Sequence, residues 1–152
     1  MTRNKKFRIP GLNINSKYKS AAPIVLSEKI KHIYKEIDKF FINDSSENLH
    51  SLRIAFRRFR YVMEIFQECI DPKFFNYIYN HAKKMQDLIG EGRDLDVMEI
   101  KFRQLQKELK KRIPENIFEK LAEEKVKIRR VIKTELINFI IDKDFNKLLN
   151  NK

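Results

Sequence analysis

Apolar residues recur at intervals of three and four along almost the whole of this 152-residue chain, which is the period of an α-helix with one buried face. Leu26, Ile30, Ile33, Ile37 and Phe40 predict a first helix over about 23–42. Asp44-Ser45-Ser46-Glu47 then supplies a cap followed by a carboxylate at capping-box spacing. Leu49, Leu52, Phe56, Phe59, Met63 and Phe66 predict a second helix over about 47–69. Asp71-Pro72 starts a third, with Phe75, Ile78, Ala82, Met85 and Ile89 on its buried face and Gly90 as its C-cap. Asp94 opens a fourth, with Leu95, Met98, Phe102, Leu105 and Leu109. Pro114 opens a fifth, with Ile117, Leu121, Ile128, Ile132, Leu136 and Phe139, and a short polar tail follows. Only 3 Gly and 4 Pro interrupt the chain, so helices are favoured over a many-turned β fold. The expectation is an all-α, antiparallel bundle of about five helices over residues 21–152, with every one of these stripes in its core.

The charge is uneven. The chain carries 33 basic and 21 acidic side chains, a formal net charge of +12. Arg3, Lys5, Lys6, Arg8, Lys17 and Lys19 fall within residues 1–20, which hold no acid and contain Pro10-Gly11. That segment reads as an extended basic arm. A field of this sign gathers anions, and nucleic acid, polyphosphate and an anionic surface all qualify.

The second helix carries a polar stripe beside its apolar one. His50, Arg53, Arg57 and Arg60 step by three, four and three, so they share an arc of about 80° and a length of about 15 Å. Arg58 lies off that line. Like charges at this spacing repel each other, and an anion held among them would relieve the repulsion. Guanidinium groups suit phosphate because each presents two donors at once and keeps its charge. Two readings compete with anion binding: acids of a neighbouring helix, Asp94 and Asp96 foremost, could neutralise the ridge, or the arginines could stand solvated. A second cluster is Gly90-Glu91-Gly92-Arg93-Asp94-Leu95-Asp96. It is read as a tight turn in which Asp94 and Asp96 orient the arginines of the ridge and Arg93 adds a donor.

Other chemistries find little support. No His or Cys pair has metal-ligand spacing, His32 and His81 stand alone, and Cys69 has no recognisable base partner. No phosphate-binding glycine loop of the P-loop or dinucleotide type occurs. A non-catalytic protein without cofactor or metal is expected. A lone cysteine fits a reducing, cytoplasmic setting, and no apolar run is long enough to span a bilayer. Nucleic-acid binding is the main alternative. Against it, the aromatics fall mainly on core stripes rather than among exposed lysines, with Tyr77 and Tyr79 as partial exceptions. A helical protein-interaction module is the third reading.

Residues 49–60, Leu-His-Ser-Leu-Arg-Ile-Ala-Phe-Arg-Arg-Phe-Arg, resemble the signature helix of the CHAD domain, the conserved histidine α-helical domain. Residues 88–97, Leu-Ile-Gly-Glu-Gly-Arg-Asp-Leu-Asp-Val, resemble the second signature of that family. The resemblance implies an all-helical protein that binds inorganic polyphosphate, without catalysis, along a basic groove and is found with polyphosphate granules. It makes His50, Arg53, Arg57, Arg58, Arg60 and Arg93 the ligand contacts, with Asp94 and Asp96 as their supports. A typical member has two such halves; this chain carries one copy of the motif pair, and a symmetric homodimer is the hypothesis that restores the second.

Overall fold

The computed structural model describes residues 8–149. Five helices make up its regular structure: α1 (Tyr18–Ile42), α2 (Ser46–Ile65), α3 (Pro72–Glu108), α4 (Glu115–Ile141) and α5 (Lys143–Leu149), with one 3₁₀ turn at Gln67–Cys69. No strand occurs among the described residues, and none of their helices is long and apolar enough to cross a membrane. The all-α bundle expected from the apolar periodicity is what the chain forms.

The caps read from sequence set the start of two helices. Ser45 Oγ accepts from the Asn48 amide at 3.2 Å, and Asp71 Oδ1 accepts from the amides of Lys73 and Phe74 at 3.1 and 2.9 Å. Consecutive helices pack on one another, and α5 returns to lie on α1. Phe40, Phe56, Phe59, Ile78, Ile89, Ile132 and Leu136 meet in one core that draws on all five helices.

Four expectations need correction. The predicted third and fourth helices are a single α3 of 37 residues, about 55 Å long. Gly90 therefore does not cap a helix, and Asp94 does not open one. Both glycines are chosen for contact instead. A Cβ on Gly92 would stand 3.0 Å from Ile132 Cδ1 and 3.2 Å from Leu49 Cδ2, so α3 approaches α2 and α4 closely enough that a side chain there would push its neighbours by a few tenths of an ångström. The stripe Leu95–Leu109 is not core: Met98, Leu105 and Leu109 are exposed, because α3 runs on past the N-terminus of α2. The tail beyond Phe139 is not merely polar. It forms α5, whose Phe145 is fully buried with ring centroids 4.0 Å from Phe139 and 6.5 Å from Phe59.

Of the segment read as a basic arm, residues 1–7 lie outside the described residues. Ile9 and Leu12 pack against Ala22, Val25 and Phe66, and Tyr18–Ser20 belong to the first turn of α1.

Candidate functional site

Helices α2 and α3 run antiparallel, with Arg60 of α2 bonded to Gln86 and Tyr79 of α3 at one end and Ser46 of α2 bonded to Arg93 at the other. The cationic stripe of α2 lies along the groove between these two points. Arg53 sits at its centre, over the middle of α3: its Nε is 3.4 Å from where a Cβ of Gly90 would be, so a side chain larger than alanine there would press on the guanidinium.

The charges along this groove are held in two ways. Arg60 is fixed at both terminal nitrogens. Nη1 donates to Gln86 Oε1 at 3.0 Å and Nη2 to Tyr79 OH at 2.6 Å, while the guanidinium carbon lies 4.7 Å from the Tyr79 ring centre. Tyr79 OH in turn donates to Glu64 at 2.6 Å. Arg93 donates to the Ser46 hydroxyl and stands 3.9 Å from Asp96. Neutral partners hold both arginines at hydrogen-bond distance, and each also has a carboxylate at 3.9 Å, Glu64 for Arg60 and Asp96 for Arg93. His50, Arg53, Arg57 and Arg58 differ: none of them has an ion-pair or hydrogen-bond partner among the described residues. The Nε atoms of Arg53 and Arg60 are buried without an acceptor. A buried donor left unpaired costs about 1–3 kcal/mol, so such atoms call for an explanation.

The acids expected to serve the ridge go elsewhere. Asp96 is 2% exposed; its two oxygens accept from Arg129 Nη2 of α4 at 3.1 and 3.0 Å, and Lys125 Nζ stands 3.1 Å from Oδ1. Burial pushes the Asp96 carboxyl up, but the bonds from Arg129, Lys125 and Ser46 outweigh it and hold the group below the usual carboxylate range. Arg129 Nε also donates to the Asp44 carbonyl at 2.9 Å, and Lys133 to the Asp44 carboxylate at 2.7 Å, so this network ties the start of α2 to α3 and α4. Asp96 meets the end of the groove at Ser46 and Arg93. Asp94 is exposed on the side of α3 that faces Glu124 and Lys127 of α4. Arg58 is exposed toward α1, where its charge bears on His32. The structure thus sets Arg53, Arg60 and Arg93 where α2 meets α3, keeps His50 and Arg57 on the same stripe of α2, and leaves Arg58 and Asp94 elsewhere.

Gln86 at one end of the groove, and Arg129 and Lys125 around Asp96, were not singled out in the sequence, and Tyr79 and Ser46 were not read as partners of the arginines. Gln86 and Tyr79 fall on one α3 stripe with Gly90 and Arg93, at spacings of seven, four and three, and that was the available signal. No group of three or more His, Cys, Asp or Glu suited to a metal ion occurs among the described residues.

Comparison with curated proteins gave no match, and comparison with solved structures gave none. The family model described as the CHAD domain matches residues 5–103, more than half of the chain, and its span holds both motifs and both walls of the groove; this chain belongs to the CHAD domain family.

Proposed function

We propose that this chain binds inorganic polyphosphate, without turning it over, in the groove between α2 and α3. One observation carries the reading. Asp96, Asp44 and Glu99 are each paired with a cation of α4, whereas Arg53 and Arg57, on the α2 stripe that also holds His50, have no ion-pair partner among the described residues. Cations packed in a row and left uncompensated are what a linear polyanion needs. Arg60 and Arg93 close the row at its two ends, each pre-oriented by a neutral partner, so little side-chain freedom would be lost when phosphate oxygens arrive. Membership of the CHAD family points to the same ligand. Polyphosphate granules are where such a protein would concentrate, and a second copy of the chain would add a second row.

The test is titration with long-chain polyphosphate and with single-stranded RNA matched in charge, at near-physiological salt. The expected result is tighter binding of polyphosphate, a preference that Arg53→Ala combined with Arg57→Ala removes while helicity is retained. Equal binding of both polymers, unchanged in the double variant, would instead mark a generic basic surface and would favour the nucleic-acid reading.

A further inference from the structure

The two helices that meet at the groove carry polar stripes with the same three-four step. On α2 the stripe reads Ser46, His50, Arg53, Arg57, Arg60, Glu64. On α3 it reads Tyr79, Lys83, Gln86, Gly90, Arg93, Val97. Glu64 is the one acid on either stripe. It stands where the next cation of the row would fall, about 6 Å further along α2 than Arg60.

The carboxylate is held at that place. Glu64 Oε1 accepts from the Tyr79 hydroxyl at 2.6 Å and lies 3.9 Å from Arg60 Nη2. Tyr79 is fixed in its turn, since its hydroxyl accepts from Arg60 Nη2 at 2.6 Å and its ring stacks on Phe75 with centroids 5.3 Å apart. The Glu64 side chain is 47% exposed, so its charge meets whatever approaches Arg60 from solvent. The other end of the row is different. Asp96, 3.9 Å from Arg93, is 2% exposed and is paired with Arg129 and Lys125, so little negative charge shows there. A linear polyanion lying along α2 gains from each cation it covers and is repelled as it passes Arg60.

We propose that Glu64 is a specificity-determining residue that ends the binding row, so that the groove engages a polyphosphate segment of limited length and turns the rest of the chain out to solvent at Arg60. This inference rests on the ligand reading above and adds to it which stretch of the ligand is bound. Tyr79 is a positioning residue in it, because its hydroxyl keeps the carboxylate beside Arg60. In water at near-physiological salt, one unit charge about 5 Å from a phosphate oxygen changes affinity by about twofold, and reversing its sign by about fourfold.

Calorimetric titration of the full chain with polyphosphates of defined length tests this, with affinity expressed per phosphate group so that a longer chain gains nothing from offering more registers. Wild-type affinity should rise with chain length until the ligand covers the span of about 15 Å from His50 to Arg60, and should then level off. Glu64→Gln, which keeps an acceptor for Tyr79, should tighten long-chain binding about twofold, and Glu64→Lys about fourfold. In Glu64→Lys the levelling point should also move to chains longer by about 6 Å. Glu47→Gln removes an exposed acid from another face of the same helix and should change neither the affinity nor the levelling point. The proposal is overturned if Glu47→Gln tightens binding as much as Glu64→Gln, or if the levelling point stays where it was in Glu64→Lys. Either failure would leave the preference for polyphosphate that depends on Arg53 and Arg57 in place. A wild-type chain that binds polyphosphate of no length would remove that reading and this one with it.

Discussion

Arg53 is the residue on which the groove turns. Its Nε is shut away from water without an acceptor and lies at van der Waals contact from where a Cβ at position 90 would stand. Gly90→Val should displace the guanidinium and weaken polyphosphate binding by about tenfold, whereas Gly90→Ala, whose Cβ would just touch Arg53, should have little effect; titration of both variants checks this. Asp96 matters for a different reason. Asp96→Asn removes the counter-charge from Arg129 and Lys125 and should cost about 3–5 kcal/mol in urea denaturation at neutral pH. The pH dependence follows from the depressed carboxyl. A folded-state pKa below the unfolded one contributes stability that is complete above the ordinary carboxylate value of about 4 and is lost as pH falls through the lower folded value. The wild-type chain should therefore lose stability on acidification below about pH 4, and Asp96→Asn should lose less. His50, Arg53, Arg57 and Arg60 were legible in the sequence because their spacing fixes them on one helix face. The partners of Asp96 were not legible, since Arg129 and Lys125 come from a helix whose register against α3 no local pattern records.

At the scale of the element, α3 is where sequence and structure part. Gly90 and Gly92 look like a break between two helices, yet the buried series Phe75, Ile78, Ala82, Met85, Ile89, Gly92, Asp96 keeps its three-four rhythm straight through them. That unbroken phase was the signal for one helix. Glycine in a helix interior costs about 1 kcal/mol relative to alanine, and close packing against Leu49 and Ile132 offsets it. Gly92→Leu should therefore destabilise the fold by about 1–3 kcal/mol through overpacking and lower Tm by roughly 3–9 °C in a thermal melt. The first two helices and the start of the third were readable because stripe, cap and proline agree there. The last helix was hidden by its brevity: Lys143–Leu149 is too short for a periodic pattern, and only the buried Phe145 shows what it does.

Across the whole molecule, α5 closes the bundle. Phe145 lodges between Phe59, His81 and Phe139, and Tyr34 donates to Asn146 at 3.0 Å, so a segment distant in sequence holds α1 to α4. Phe145→Ala should cost about 3–5 kcal/mol, readable as a shift of the denaturation midpoint, with the groove residues untouched. The fold class and the cationic row were thus open to inspection in the sequence, while the exposure of the Leu95–Leu109 stripe was not: its apolar spacing is that of a core helix, and only the length of α3 relative to α2 leaves it uncovered. That same length makes α3 a lever. It is gripped at Gly92 by Leu49 and Ile132, carries the groove on one arm, and extends about 24 Å on the other. A tilt of about 5° about that fulcrum would sweep its far end through about 2 Å. Whatever moves one arm would therefore move the other.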